Sequence, residues 1–124
     1  MAGREEAEQS VFTRRSDPSL LILLSLAGGE KHGHALASDI EATTGVRLGP
    51  GTLYGAITRL EERGLIEPME PDGRRRPYRA TESGLAELAD AITELRTLSE
   101  LGTERLAARV ARPARPARVP RLAT

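Results

Sequence analysis

Three consecutive guanidinium groups, Arg74, Arg75 and Arg76, with Tyr78 and Arg79 just beyond them, make the densest positive cluster in the part of the chain expected to fold. They follow Pro71-Asp72-Gly73, a turn sequence, so the charge falls at the tip and on the return strand of a β-hairpin. Arginines on a protruding tip suit nucleic-acid phosphates, which they bind by charge and by paired N–H donors. The plainer reading is a solvated charged turn. The segment upstream favours the first reading. There Pro50, Gly51, Thr52, Tyr54, Gly55, Thr58 and Arg59 bring together small, hydroxyl-bearing and guanidinium side chains. On a helix, Leu53, Ala56, Ile57 and Leu60 share one face, while Gly51, Tyr54, Gly55, Thr58 and Arg59 spread over the other. Such a front fits a DNA major groove: glycine lets the backbone come close, hydroxyls reach phosphates or base edges, and Arg59 pairs with a guanine edge or a phosphate.

His32 and His34 form a His-x-His pair, a spacing that zinc or copper can use. With no cysteine and no third histidine the shell cannot be completed, so no metal is expected. His32 is expected to order a helix start, and both histidines are candidate DNA contacts. No catalytic constellation is found. The carboxylates are scattered over charged helix faces, the Ser and Thr residues have no base placed beside them, and no glycine-rich phosphate loop carries a lysine. The expectation is a protein that is not an enzyme and needs no cofactor.

The elements that must hold these residues are few. A chain of 124 residues has room for one domain with short extensions, and its 39% hydrophobic but 2% aromatic composition calls for a core of Leu, Ile, Val and Ala. Asp17-Pro18 starts a first helix that is apolar on almost every side, and Gly28-Gly29 ends it. His32-Gly33-His34 opens a second helix that stops at Thr44-Gly45. Pro50 heads a third, which Gly64 terminates after Arg63. Leu65 to Met69 and Arg74 to Ala80 make the hairpin, and Pro77 is tolerable there because each strand of an isolated hairpin has a free edge. Thr81 caps a long last helix whose Leu85, Leu88, Ile92, Leu95 and Leu98 recur at three- and four-residue spacings, a stripe that must face another helix. At Gly102-Thr103 that helix either continues or restarts.

The ends differ from this plan. Residues 1–17 are polar apart from Val11 and Phe12 and read as an arm or an extra helix. The stretch from 111 to 124 spaces Arg112, Arg115, Arg118 and Arg121 among prolines, which excludes helix and packed core and reads as a disordered basic tail. Net charge is zero because acidic residues elsewhere balance these clusters. The absence of cysteine, of a signal-like start and of any bilayer-length apolar run fits a cytoplasmic protein with no membrane partner.

From Leu21 to Gly84 the chain resembles the N-terminal domain of the PadR family, the phenolic-acid decarboxylase regulators. The resemblance rests on Lys31-His32-Gly33, Leu48-Gly49-Pro50-Gly51-Thr52-Leu53-Tyr54, Arg59-Leu60-Glu61-Glu62-Arg63-Gly64-Leu65-Ile66, Gly73-Arg74-Arg75-Arg76 with Tyr78-Arg79, and Thr81-Glu82-Ser83-Gly84. It implies a dimeric, repressor-like regulator whose third helix enters the major groove, whose wing touches the backbone and whose last helix builds the dimer. A small-molecule effector is a further partner implied by the family. Tryptophan is absent, so a flat ligand held between indole rings, as in some compact members, is not available to this chain.

The expected fold is mainly α with a small β-hairpin wing (α+β), a winged helix-turn-helix over 18–81 followed by a dimerisation helix over 82–110. The expected function is regulation of transcription by a homodimer on double-stranded DNA carrying an inverted repeat. The alternative is a winged-helix protein-interaction module that binds DNA weakly or not at all.

Overall fold

Asp17 caps the first helix, its carboxylate accepting the Ser19 backbone N–H at 3.0 Å with Pro18 in the first helical turn. The computed structural model describes residues 17–112, so the arm and the basic tail lie outside the described residues, apart from their junctions at Asp17 and at 111–112. Helix α1 (Pro18–Ala27) turns Leu21, Ile22, Leu23 and Leu26 into the core. Ser25, the buried polar residue of this core, donates its hydroxyl to the Asp39 carboxylate and so ties α1 to the next helix. Lys31 finishes α1 by donating from Nζ to the carbonyls of Ser25 at 2.6 Å and Gly29 at 3.2 Å.

Strand β1 (Lys31–His32) leads into helix α2 (Gly33–Thr44), and helix α3 (Pro50–Glu62) follows after a short link. Helix α3 ends in a Schellman arrangement: Leu65 N–H donates to the Leu60 carbonyl at 2.9 Å and Gly64 N–H to that of Glu61 at 3.0 Å. Strands β2 (Ile66–Pro68) and β3 (Pro77–Ala80) then form the hairpin. The core beneath holds Ile22, Leu36, Ile40, Ile57, Leu60 and Ile66 fully buried, with Tyr78 packed at its margin.

The sheet corrects one expectation. The hairpin is not isolated: strand order is β1-β3-β2, with Lys31 opposite Tyr78 and His32 opposite Pro77. The return strand is therefore central, and Pro77 is accommodated as its first residue rather than by a free edge, with its carbonyl still accepting Met69 N–H at 2.8 Å.

Helix α4 (Glu82–Ala111) is continuous through Gly102. Thr81 Oγ1 accepts Gly84 N–H at 3.1 Å and donates to the Gly64 carbonyl at 2.7 Å, while Thr81 N–H donates to the Leu65 carbonyl. Where Gly84 passes Leu65 the backbones nearly touch, and a Cβ at 84 would overlap the Leu65 carbonyl oxygen. Chain contacts divide the molecule into two units between Ala91 and Ile92. The first holds the core above, including Leu88. In the second, Ile92, Leu98, Leu101, Leu106 and Val110 are all exposed. No described helix is long and apolar enough to cross a membrane.

Candidate nucleic-acid interface

Helix α3 buries Leu53, Ala56, Ile57 and Leu60 and leaves Pro50, Gly51, Thr52, Thr58 and Arg59 exposed. Its N-cap residue, Gly49, offers no side chain to the first turn, so the free amide donors there remain open to an outside acceptor. Thr58 donates its hydroxyl proton to the Tyr54 carbonyl at 2.9 Å, four residues back. It therefore presents an acceptor lone pair and a methyl group, which suit an exocyclic amine or a thymine methyl in the major groove. Arg59 extends back past Gly55, which is half-buried, and makes no ion pair among the described residues.

Tyr54 is 48% exposed, and its phenol lies against Gly33 at the start of α2. A Cβ at position 33 would overlap the Tyr54 hydroxyl and the adjoining edge of its ring, so the glycine of Lys31-His32-Gly33 is the seat for this phenol. His32, immediately before that seat, is the N-cap of α2, and its Nδ1 accepts Ala35 N–H at 3.3 Å. Its Nε2 lies 3.4 Å from Nη1 of Arg75. One line of residues thus runs from α3 to the wing: Tyr54, Gly33, His32, Arg75. The exposed ring of His34 lies parallel to that of His32, with centroids 6.4 Å apart.

The wing tip is a tight turn. Asp72 N–H donates to the Arg75 carbonyl at 2.7 Å and Arg75 N–H returns to Asp72 at 3.1 Å, leaving Gly73 and Arg74 as a two-residue loop. Gly73 has φ 67°, the left-handed value that glycine at the first loop position supplies. Arg74, Arg75 and Arg76 are exposed, whereas Arg79 is held by Glu67 across the strands at 2.6 Å. Tyr78 sits between the two parts. Burial pushes its phenol up from the ordinary value, the charge of Glu61 adds to this, Arg76 opposes it and Tyr54 adds a little more. The groups that influence Tyr78 thus come from both α3 and the wing.

One reading of the sequence changes here. Leu88, placed by its spacing on the dimerisation stripe, is only 6% exposed because it packs into the core of its own unit. Leu85, Ile92 and Leu98 are exposed and Leu95 is half-buried. Sequence reasoning also missed the seat between Gly33 and Tyr54. Its only signal was a glycine in a helix start next to two histidines.

Helices α1, α2 and α3 with a three-stranded sheet whose hairpin ends in an exposed arginine turn define a winged-helix protein. The model of the Transcriptional regulator PadR-like family matches residues 22–90. A transcriptional regulator of Mycobacterium tuberculosis, Rv3488, is 40% identical over 99 residues, covering 77% of this chain and 89% of that protein. An uncharacterised 37.1 kDa protein in a transposon of Streptomyces fradiae is 48% identical over 71 residues; the match covers 57% of this chain but only 21% of that relative's length. The crystal structure of a PadR family transcriptional regulator from Eggerthella lenta superposes with a TM-score of 0.65 at 28% identity, covering 86% of this chain and 96% of that one. The chain belongs to the PadR-like family of transcriptional regulators.

Proposed function

We propose that this regulator binds double-stranded DNA as a homodimer at an inverted repeat and represses the gene behind it. The observation that carries the reading is the line Tyr54–Gly33–His32–Arg75, which links the exposed front of α3 to the arginines of the wing. The first would enter the major groove and the second would grip the adjoining backbone. Half-sites are then expected about one helical turn, roughly 34 Å, apart. A mobility-shift assay with the DNA upstream of its own gene tests this. A retarded band that weakens as salt is raised is expected; a chain that ignores duplex DNA at low salt would favour the protein-interaction alternative. Acting on DNA places the protein with the chromosome, which in a prokaryotic cell is the cytoplasm, and the reading assigns no catalytic step. A small-molecule effector would work by shifting the population of dimers able to bind.

Specificity is assigned to Thr58 and Arg59. Arg59→Ala is expected to lower affinity for the preferred site by about ten-fold while barely changing affinity for unrelated duplexes, since a paired base contact is worth about 1–3 kcal/mol. Thr58→Ala should change which base is preferred at one position. Selection from a randomised duplex pool reads both effects, and an unaltered consensus would remove α3 from base recognition.

Pairing is supported by the apolar residues of α4. The part beyond Ala91 is one helix with Ile92, Leu98, Leu101, Leu106 and Val110 exposed, and Leu98 is 67% exposed. Burying such exposed apolar residues against a second copy removes them from water and stabilises both. Ile92→Asp with Leu98→Asp is expected to yield a monomer at about ten micromolar by sedimentation, through the cost of burying carboxylates. A double variant that still sediments as a dimer would place the interface elsewhere.

A further inference from the structure

His32 is asked to do two things that one imidazole cannot do at once. Its Nδ1 accepts Ala35 N–H at 3.3 Å, the bond that caps α2, and its Nε2 faces Nη1 of Arg75 at 3.4 Å. A neutral imidazole has one lone pair and one N–H, and a guanidinium has donors only. If Nδ1 serves the cap, Nε2 carries the proton and confronts another donor. If Nε2 accepts from Arg75, Nδ1 carries the proton and the cap is lost. The first arrangement prevails on physical grounds. Ala35 N–H is a first-turn amide in a part-buried position with no intrahelical acceptor, whereas Arg75 is exposed and can turn to solvent.

In that tautomer His32 Nε2–H and the Arg75 guanidinium are two neighbouring donors, poor partners for each other and good partners for one shared anionic oxygen. Neither is in an ion pair with a carboxylate among the described residues. Two neighbouring cations are engaged elsewhere: Lys31 is turned inward to the carbonyls of Ser25 and Gly29, and Arg79 is held by Glu67, while Arg74 and Arg76 on either side of Arg75 stay exposed. The His34 ring, parallel to that of His32, flanks the imidazole.

We propose that His32 and Arg75 form a clamp for a single phosphodiester group of the DNA backbone, bridging the start of α2 and the wing. This rests on the DNA-binding reading above and adds a defined ligand, a defined tautomer and a division of labour. Arg75 supplies charge; His32 supplies a directed neutral donor whose orientation the helix cap fixes.

The test is fluorescence polarisation of a labelled duplex at pH 8, where imidazoles are ordinarily neutral, at several salt concentrations. His32→Asn retains a strong capping residue and loses the Nε2 donor. It is expected to melt as the wild type does and to bind about five-fold more weakly, with an unchanged salt slope because no charge is removed. Arg75→Ala should weaken binding and flatten the slope by about one. The double variant should lose little more than Arg75→Ala alone, since both remove the same contact. Long-range nitrogen–proton spectra of the free protein should place the His32 proton on Nε2. Wild-type affinity in His32→Asn, fully multiplicative losses in the double variant, or a proton on Nδ1 would each overturn the clamp while leaving the DNA reading intact. A wild-type protein that binds no duplex would overturn both.

Discussion

Replacing Arg74 and Arg75 together with alanine should lower affinity for every duplex, whatever its sequence, by roughly fifty-fold at about 0.1 M salt. The magnitude follows from counterion release: each neutralised phosphate contributes about 0.9 to the slope of log affinity against log salt, so losing two should flatten that slope by about 1.8. Both side chains are exposed at a turn that Gly73 and the paired Asp72–Arg75 backbone bonds hold in place. Trimming them therefore removes charge without disturbing the fold. Titrations at four salt concentrations with a preferred and an unrelated duplex check this. Equal proportional losses on the two are expected, in contrast to Arg59→Ala, which separates them. Undiminished affinity in the double variant would take the wing away from the DNA.

The largest expected effect on stability is at Gly84. A methyl group there would overlap the Leu65 carbonyl oxygen and press on the Leu23 side chain, and the first of these is backbone that cannot step aside. Leu65 is also the residue whose carbonyl accepts Thr81 N–H, so moving it loosens the joint between the hairpin and α4. Overpacking against fixed backbone typically costs up to about 3 kcal/mol, and for a domain of this size that corresponds to a melting temperature lower by roughly 12–24 °C. Gly84→Ala followed by circular dichroism on heating measures it. Gly102→Ala is the companion substitution: a Cβ at that helical position meets nothing, so the melting point should hold or rise slightly. Equal behaviour of the two variants would mean that the approach of α4 to Leu65 is not as close as described.

What could be read from the sequence was whatever local chemistry decides. The Asp17-Pro18 and Thr81 caps and the break at Gly64 each depend on residues a few positions apart, and each behaves as its residue type requires. The amphipathic split of α3 was equally legible, since a helical wheel needs only the spacing of Leu53, Ala56, Ile57 and Leu60. Long-range pairing was not. Strand β1 is only two residues long and exists because it lies along β3, far away in sequence, which also moved Pro77 from a presumed edge to the centre of a sheet. Leu88 shows the other limit. Periodicity tells that a residue faces something apolar but not whether that is its own core or a second chain, and here Leu88 faces its own core while Leu85, one turn earlier, does not. Gly33 and Gly84 carry close approaches that only the partner atoms, Tyr54 and Leu65, reveal.

The central claim, that the front of α3 and the wing engage DNA together, is most directly tested by following backbone amide resonances while an unlabelled duplex is added. Movement of Gly51, Thr52, Thr58, Arg59, Gly73, Arg74, Arg75 and Arg76, with Ala35 following through the His32 cap, is the predicted pattern. Resonances that move only in α4 beyond Ala91, with α3 and the wing silent, would contradict it.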